Sequence, residues 1–247
     1  MNNAVDNKRT PVVVNAGMPG IQRVGNGPWD QNTWTQSRPS DAQRVLRNTY
    51  ALLSMTLAFS AACAGMAMMF NIPAMHPFIL LAVYFGLLFG IHKTINSGTG
   101  IILTFALTGF MGLTLGPIVN MFLKTSGGSS IVLMALGGTA IIFFGLSAVS
   151  LVTRKDFSFM GKTLFVGALV AFIAGIANIF LNIPALHLAV SSLFLIISSG
   201  LILYQTSEII HGGEDNYVRA TVSLFMSLYN IFLSLLQILG VMGGDRE

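Results

Sequence analysis

Five stretches of 25 residues or more contain no Asp, Glu, Lys or Arg: residues 48–92, 94–123, 125–153, 163–207 and 220–244. They run for 45, 30, 29, 45 and 25 residues. Crossing a hydrocarbon core takes about 20 apolar residues of helix, so the three shorter stretches hold one span each and the two longer ones hold two. Each long stretch is broken near its middle by the same phrase, Asn-Ile-Pro-Ala-x-His, at 71–76 and again at 182–187. Proline and the residue before it disfavour continued helix, so both copies predict tight hairpin turns. The pattern predicts an all-α polytopic membrane protein with seven transmembrane helices, over 49–70, 77–91, 100–122, 131–152, 164–181, 186–206 and 218–241. The second of these is short for a bilayer. Long unbroken apolar runs, in place of short alternating ones, exclude a transmembrane β-barrel.

Composition agrees. Of 247 residues 53% are hydrophobic and only 9% charged, where a soluble domain carries about 25% charged residues. Disorder is excluded by the same numbers, and a disulfide scaffold by the single Cys63, which reads as a small buried hydrophobe. A net charge of +4 would suggest nucleic acid in a soluble protein, but here the charges flank apolar segments, so the bilayer is the expected partner and nucleic acid is not. With the N-terminus in the cytoplasm, the inner segments hold Lys8, Arg9, Arg23, Arg38, Arg44, Arg47, Lys93, Arg154, Lys155, Lys162 and Arg219. The outer ones hold only Lys124 and Arg246. Eleven cations against two predict a cytoplasmic N-terminus and a C-terminus on the far side.

The chain divides into a cytoplasmic tail over 1–43 and a seven-helix domain over 44–247. The tail is rich in Gly, Pro, Asn and Thr without helical or strand period, and has no apolar stretch of signal-peptide length. It reads either as a flexible leader or as a handle for a partner or protease. Trp29 and Trp34 suit the membrane surface, and Ser40 suits the N-cap of the first helix.

Ionisable groups within membrane spans are default functional candidates, and this chain has few. Glu208 falls at the end of the sixth span, with His211, Glu214 and Asp215 in the loop beyond, a candidate proton or cation site; the intervening Gly212 and Gly213 suit a plain flexible turn. The last span is more informative. Ser223, Ser227, Asn230, Ser234 and Gln237 recur at three- and four-residue intervals and share one face of a helix. Such a stripe faces protein or trapped water, not lipid, and serves either helix–helix hydrogen bonding or a solute path. Small residues at close spacing (Gly86 with Gly90; Gly109 with Gly112 and Gly116; Gly167 with Ala171 and Gly175) permit close helix contact. Pro117 after Gly116 is a candidate hinge. No phosphate loop, His-Glu-x-x-His, embedded nucleophile or metal-ligand spacing is present, so neither an enzyme nor a resident cofactor is expected.

Four stretches, in order, carry a resemblance: Arg44-x-x-Arg47-x-x-Tyr50; 109–119 around Leu115-Gly116-Pro117-Ile118; Lys155-Asp156-Phe157-Ser158-Phe159 with 175–180; and 203–236, including Leu228-Tyr229-Asn230-Ile231-Phe232. They resemble the Bax inhibitor-1, or transmembrane Bax-inhibitor-motif, family. The loop His211-Gly212-Gly213-Glu214-x-Asn216-Tyr217 is similar to that of its gammaproteobacterial inner-membrane subgroup. The resemblance implies six helices around a central seventh and a cytoplasmic N-terminus in the bacterial inner membrane. It also implies two functions. Family members leak calcium, as the transported ion, under control of a proton-sharing carboxylate pair; the matching positions here are Gln205 and Ser227, and neither ionises. Glu208, one turn beyond Gln205, is the candidate replacement. Members of the subgroup are substrates and modulators of a membrane-anchored, ATP- and zinc-dependent AAA protease, gripped by an exposed N-terminal tail. The leading expectation is such a modulator in membrane-protein quality control. A pH-sensitive calcium leak and a passive structural component are the alternatives.

Overall fold

The computed structural model describes residues 39–244. The expected tail lies outside them up to residue 38, together with Trp29 and Trp34. Seven helices run in order: α1 Pro39–Met69, α2 Pro77–Thr94, α3 Gly98–Leu123, α4 Gly128–Thr153, α5 Gly161–Leu181, α6 Pro184–His211 and α7 Tyr217–Gly244, with a short 3-10 turn at Ser158–Met160 ahead of α5. All seven are long and apolar enough to cross a membrane, and the expected spans fall on them one for one. Most of the helices run a few residues past the expected spans, and α1 begins ten residues earlier, at Pro39 and not at 49. This puts Ser40 inside the first turn and not at the cap. Proline suits the first helical position because it has no N–H to leave unpaired.

The repeated phrase folds in two ways. After both α1 and α5 the asparagine takes a left-handed conformation, Asn71 at φ 48° and Asn182 at φ 51°, which ends each helix. In the second copy Pro184 then starts α6 directly, and the Asn178 side chain accepts the Ile183 N–H at 3.1 Å. In the first copy residues 72–76 form no regular element, with His76 in an extended conformation, and Pro77 starts α2. A second helix-starting proline, Pro77, comes after only the first copy. The second copy is the tight turn expected; the first is a longer, irregular crossing.

Helix contacts follow the small residues. The most extensive pairing is α1 on α3, where Gly109, Gly112 and Gly116 meet Phe59, Ser60 and Ala67. A Cβ on Gly112 would overlap the Ser60 carbonyl oxygen, and one on Gly116 would lie 2.5 Å from the Ala67 Cβ. Gly116 is thus wedged against α1, and α3 continues as helix through Pro117. Gly86 differs from expectation: a Cβ there meets nothing within 4 Å, because α2 turns that face away from its neighbours.

At the centre stands α7, with Ala220, Leu224, Ile231 and Leu236 fully buried. Four helices, α1, α3, α4 and α6, pack directly on it. The other two complete the ring at a distance. From α2 the Tyr84 hydroxyl reaches the Met226 sulfur at 3.4 Å, while α5 packs on α6 through Leu164, Ala171 and Ile197. Between themselves α2 and α5 meet by ring contacts, Phe78 with Phe180 and Phe85 with Phe172, at centroid separations of 6.1 and 5.8 Å.

In a membrane, close backbone approach replaces the hydrophobic drive that holds soluble helices together. Gly112→Ala is therefore expected to push α1 off α3 and cost about 1–3 kcal/mol, read as a lowered thermal midpoint in detergent. Gly86→Ala, facing open space, is expected to leave that midpoint unchanged.

Candidate functional site

The polar stripe of α7 is turned toward the side that α2 and α5 leave open. Ser223, Ser227 and Asn230 line a crevice of about 580 Å³ walled by α2, α5 and α6. Asn230, Ser234 and Gln237 line a second of about 460 Å³ between α5, α6 and α7, together with Asn178, Asn182 and His187. Asn230 and Phe194 border both, so the two cavities are neighbours along one face of the central helix. None of the five stripe residues is exposed. The Ser191 hydroxyl donates to Gln237 Oε1 at 2.5 Å, tying α6 to α7, and the Ser227 hydroxyl donates to its own helix at the Ser223 carbonyl, 3.0 Å away. Part of the stripe is helix–helix bonding and part is cavity wall.

Gln205 and Ser227 are both buried, on α6 and α7, which pack together. Among the described residues no hydrogen bond joins them; the Ser227 hydroxyl is taken within α7. Glu208 does not point to this pair. Its carboxylate accepts from the Ser158 hydroxyl at 2.5 Å, and its backbone carbonyl accepts the N–H groups of Gly213 and Glu214 at 2.8 and 3.1 Å.

The loop after α6 is a lock, not a plain turn. Gly212 at φ 76° closes α6, a left-handed position that suits a residue without a Cβ. Gly213 lies so near Glu208 that a Cβ would overlap Oε2. Asn216 caps α7: its Oδ1 accepts the N–H groups of Val218 and Arg219 at 2.9 and 3.2 Å, a bond set worth about 1 kcal/mol. Its Nδ2 donates to Asn96 Oδ1 at 3.0 Å, pinning the α2–α3 loop. Buried Glu214 accepts the Asn216 N–H at 2.9 Å and lies 3.5 Å from Arg219. Both ring nitrogens of His211 face carbonyl oxygens, Nδ1 that of Ser207 at 2.9 Å and Nε2 that of Arg154 at 3.1 Å, bridging α6 to the end of α4. The Phe157 N–H donates to the Ser207 hydroxyl at 3.0 Å; the Ser158 side chain, followed by its N–H donating to Asp156 Oδ1 at 2.8 Å, holds the Asp156 carboxyl below its usual range.

Of the expected cation-site residues, Glu208, His211 and Glu214 each serve a separate loop contact, and Asp215 is exposed. No group of three or more His, Cys, Asp or Glu that could hold a metal occurs among the described residues. Sequence reasoning missed Ser158, Ser207 and Asn216, which do most of the locking. A signal was present for Asn216, an N-cap residue type directly before an apolar helix. For Ser158 and Ser207, 50 residues apart from their partners, none was.

Burial pushes the Glu214 carboxyl above its ordinary value of 4.5, outweighing the Asn216 hydrogen bond and the Arg219 charge that pull it down, while Asp215 and Glu208 add to the rise. A carboxyl whose value is raised on folding contributes stability that is present below its unfolded value and lost as pH rises through the folded one. Glu214→Gln keeps an acceptor for the Asn216 N–H and removes the titration. Thermal unfolding in detergent is expected to show the wild type losing stability as pH rises above 4.5 through the folded value, with a flatter profile for the variant.

A family model described as inhibitor of apoptosis-promoting Bax1 matches residues 42–244. The chain is 55% identical over 202 residues to the modulator of FtsH protease YccA of Escherichia coli K12, covering 82% of this chain and 92% of that protein. It is 51% identical over 201 residues to an uncharacterized protein of Pseudomonas aeruginosa, covering 81% and 90%. To an uncharacterized membrane protein of Vibrio cholerae it is 40% identical over 221 residues, covering 89% and 99%. With a family match across all seven helices and these relatives, the chain belongs to the Bax inhibitor-1 family of membrane proteins.

Proposed function

We propose that this chain is a multi-pass protein of the bacterial inner membrane that binds a membrane-anchored AAA protease, is itself a substrate of it, and restrains its action on other membrane proteins. The similarity to a modulator of FtsH protease, 55% over 202 residues, carries this reading. On this reading ATP and zinc chemistry belongs to the partner protease.

The grip is segment 1–43, on the cytoplasmic side. It enters the bundle at α1, at the end where Lys93, Arg154, Lys155, Lys162 and Arg219 gather, and the positive-inside rule puts that end in the cytoplasm. There the three inter-helix loops are tied to one another or to helix ends by Asn216, His211 and Ser158, so they offer little slack chain to a pulling machine. The calcium-leak alternative lacks its titrating pair, since Gln205 and Ser227 carry no ionisable group.

Deleting residues 1–38 tests the proposal in membranes that contain the protease. Co-isolation with the protease and protection of a second membrane substrate are both expected to vanish, while helicity and expression of the bundle stay unchanged. Co-isolation that survives the deletion would move the contact to the bundle and sink the tail as the grip.

A further inference from the structure

The crevice between α2 and α5 has three features that together specify an occupant. First, its outer side is closed by side chains alone. The two helices are bridged by side-chain rings, Phe85 against Phe172 with interplanar angle 86°, not by backbone packing. Second, its wall is apolar over most of its height, with Phe85, Phe165 and Phe172 among the lining residues. Third, its two ends differ. Arg219, with its side chain 52% exposed, and His92 border one end, and Asn230 the other.

The dimensions fit one leaflet. From Arg219 to Asn230 is eleven residues of α7, about 17 Å at 1.5 Å per residue. Half of a hydrocarbon core of about 30 Å is about 15 Å. Ser223 stands one helical turn below Arg219 on the same wall, at the depth where a lipid's ester groups lie once its headgroup is level with the guanidinium. An arginine at headgroup depth binds phosphate oxygens by paired N–H donors, and Lys93 beside His92 adds a further cation to that end. Glu214, 3.5 Å from Arg219, takes only part of the guanidinium's donor capacity.

We propose that this crevice is a binding site for an anionic phospholipid of the surrounding bilayer. Its phosphate sits on Arg219 and His92, and one acyl chain lies between α2 and α5 as far as Asn230. The site is independent of the protease reading: it uses no residue of segment 1–43, and its occupancy is read without a protease.

The test is fluorescence quenching by brominated lipids. The chain has two tryptophans, and Trp29→Phe with Trp34→Phe removes both. In that background Phe172→Trp reports from the crevice, and Ile141→Trp, on the 75% exposed face of α4, reports from bulk lipid. Each protein is placed in vesicles of phosphatidylcholine carrying a small fraction of brominated phosphatidylglycerol or of brominated phosphatidylcholine. At Phe172→Trp the anionic lipid is expected to quench several-fold more effectively than the zwitterionic one, with no such preference at Ile141→Trp. Arg219→Gln is expected to abolish the preference and Arg219→Lys to keep it. Because Arg219 also faces Glu214, His92→Gln is measured beside it and is expected to weaken the preference. Equal quenching by the two lipids at Phe172→Trp, or a preference that persists in both Arg219→Gln and His92→Gln, overturns the proposal.

Discussion

A central helix with five polar side chains has to be surrounded by protein, because hydrocarbon offers them no hydrogen-bond partner. Burial of α7 organises everything else in this molecule. Four helices pack on it directly, and its own polar groups are partly satisfied within the bundle, Ser227 on the Ser223 carbonyl and Gln237 from the Ser191 hydroxyl. The apolar residues of α7 between the stripe positions, Leu224, Ile231 and Leu236, are fully buried. Since lipid is as apolar as leucine, packing density and not water exclusion holds the helices together. That is why the closest helix pair, α1 with α3, is built on three glycines.

The two ends of the bundle solve different problems. At the end carrying Asn71 and Asn182 a left-handed residue stops each of those two helices. At the basic end the loops hold polar groups that would otherwise leave helix termini unpaired. Asn216, Glu214, His211, Ser207 and Ser158 satisfy them reciprocally, so one loop's side chain completes another's backbone. Glu214 shows what this costs, since its burial works against its charge and only the Asn216 N–H and Arg219 offset the loss.

The asymmetry around α7 links the fold to both functional readings. The side toward α1, α3 and α4 carries the apolar clusters and an apolar cavity of about 580 Å³ walled by residues such as Phe143, Phe225 and Phe232. The side toward α2 and α5 holds the crevices along the stripe. The protease reading places its contact ahead of α1. The lipid reading places its contact on the open side of α7, with a cationic rim at the basic end.

Much of this was legible in the chain itself. Charge-free stretches long enough for seven spans, the glycine spacing at 109, 112 and 116, and the stripe from Ser223 to Gln237 depend on composition and helical period, which are local properties. That Gln205 and Ser227 carry no ionisable group was equally plain. Other outcomes needed the assembled bundle. Identical phrases at 71–76 and 182–187 took different shapes because the residues after the two copies differ and each copy answers to its own helix pair. Glu208 was drawn to Ser158, 50 residues away, and not to Gln205 one turn before it. Whether the stripe met a helix or a crevice turned on how far α2 and α5 stand from α7. Periodicity tells which residues share a face; only packing against distant parts of the chain decides what that face meets.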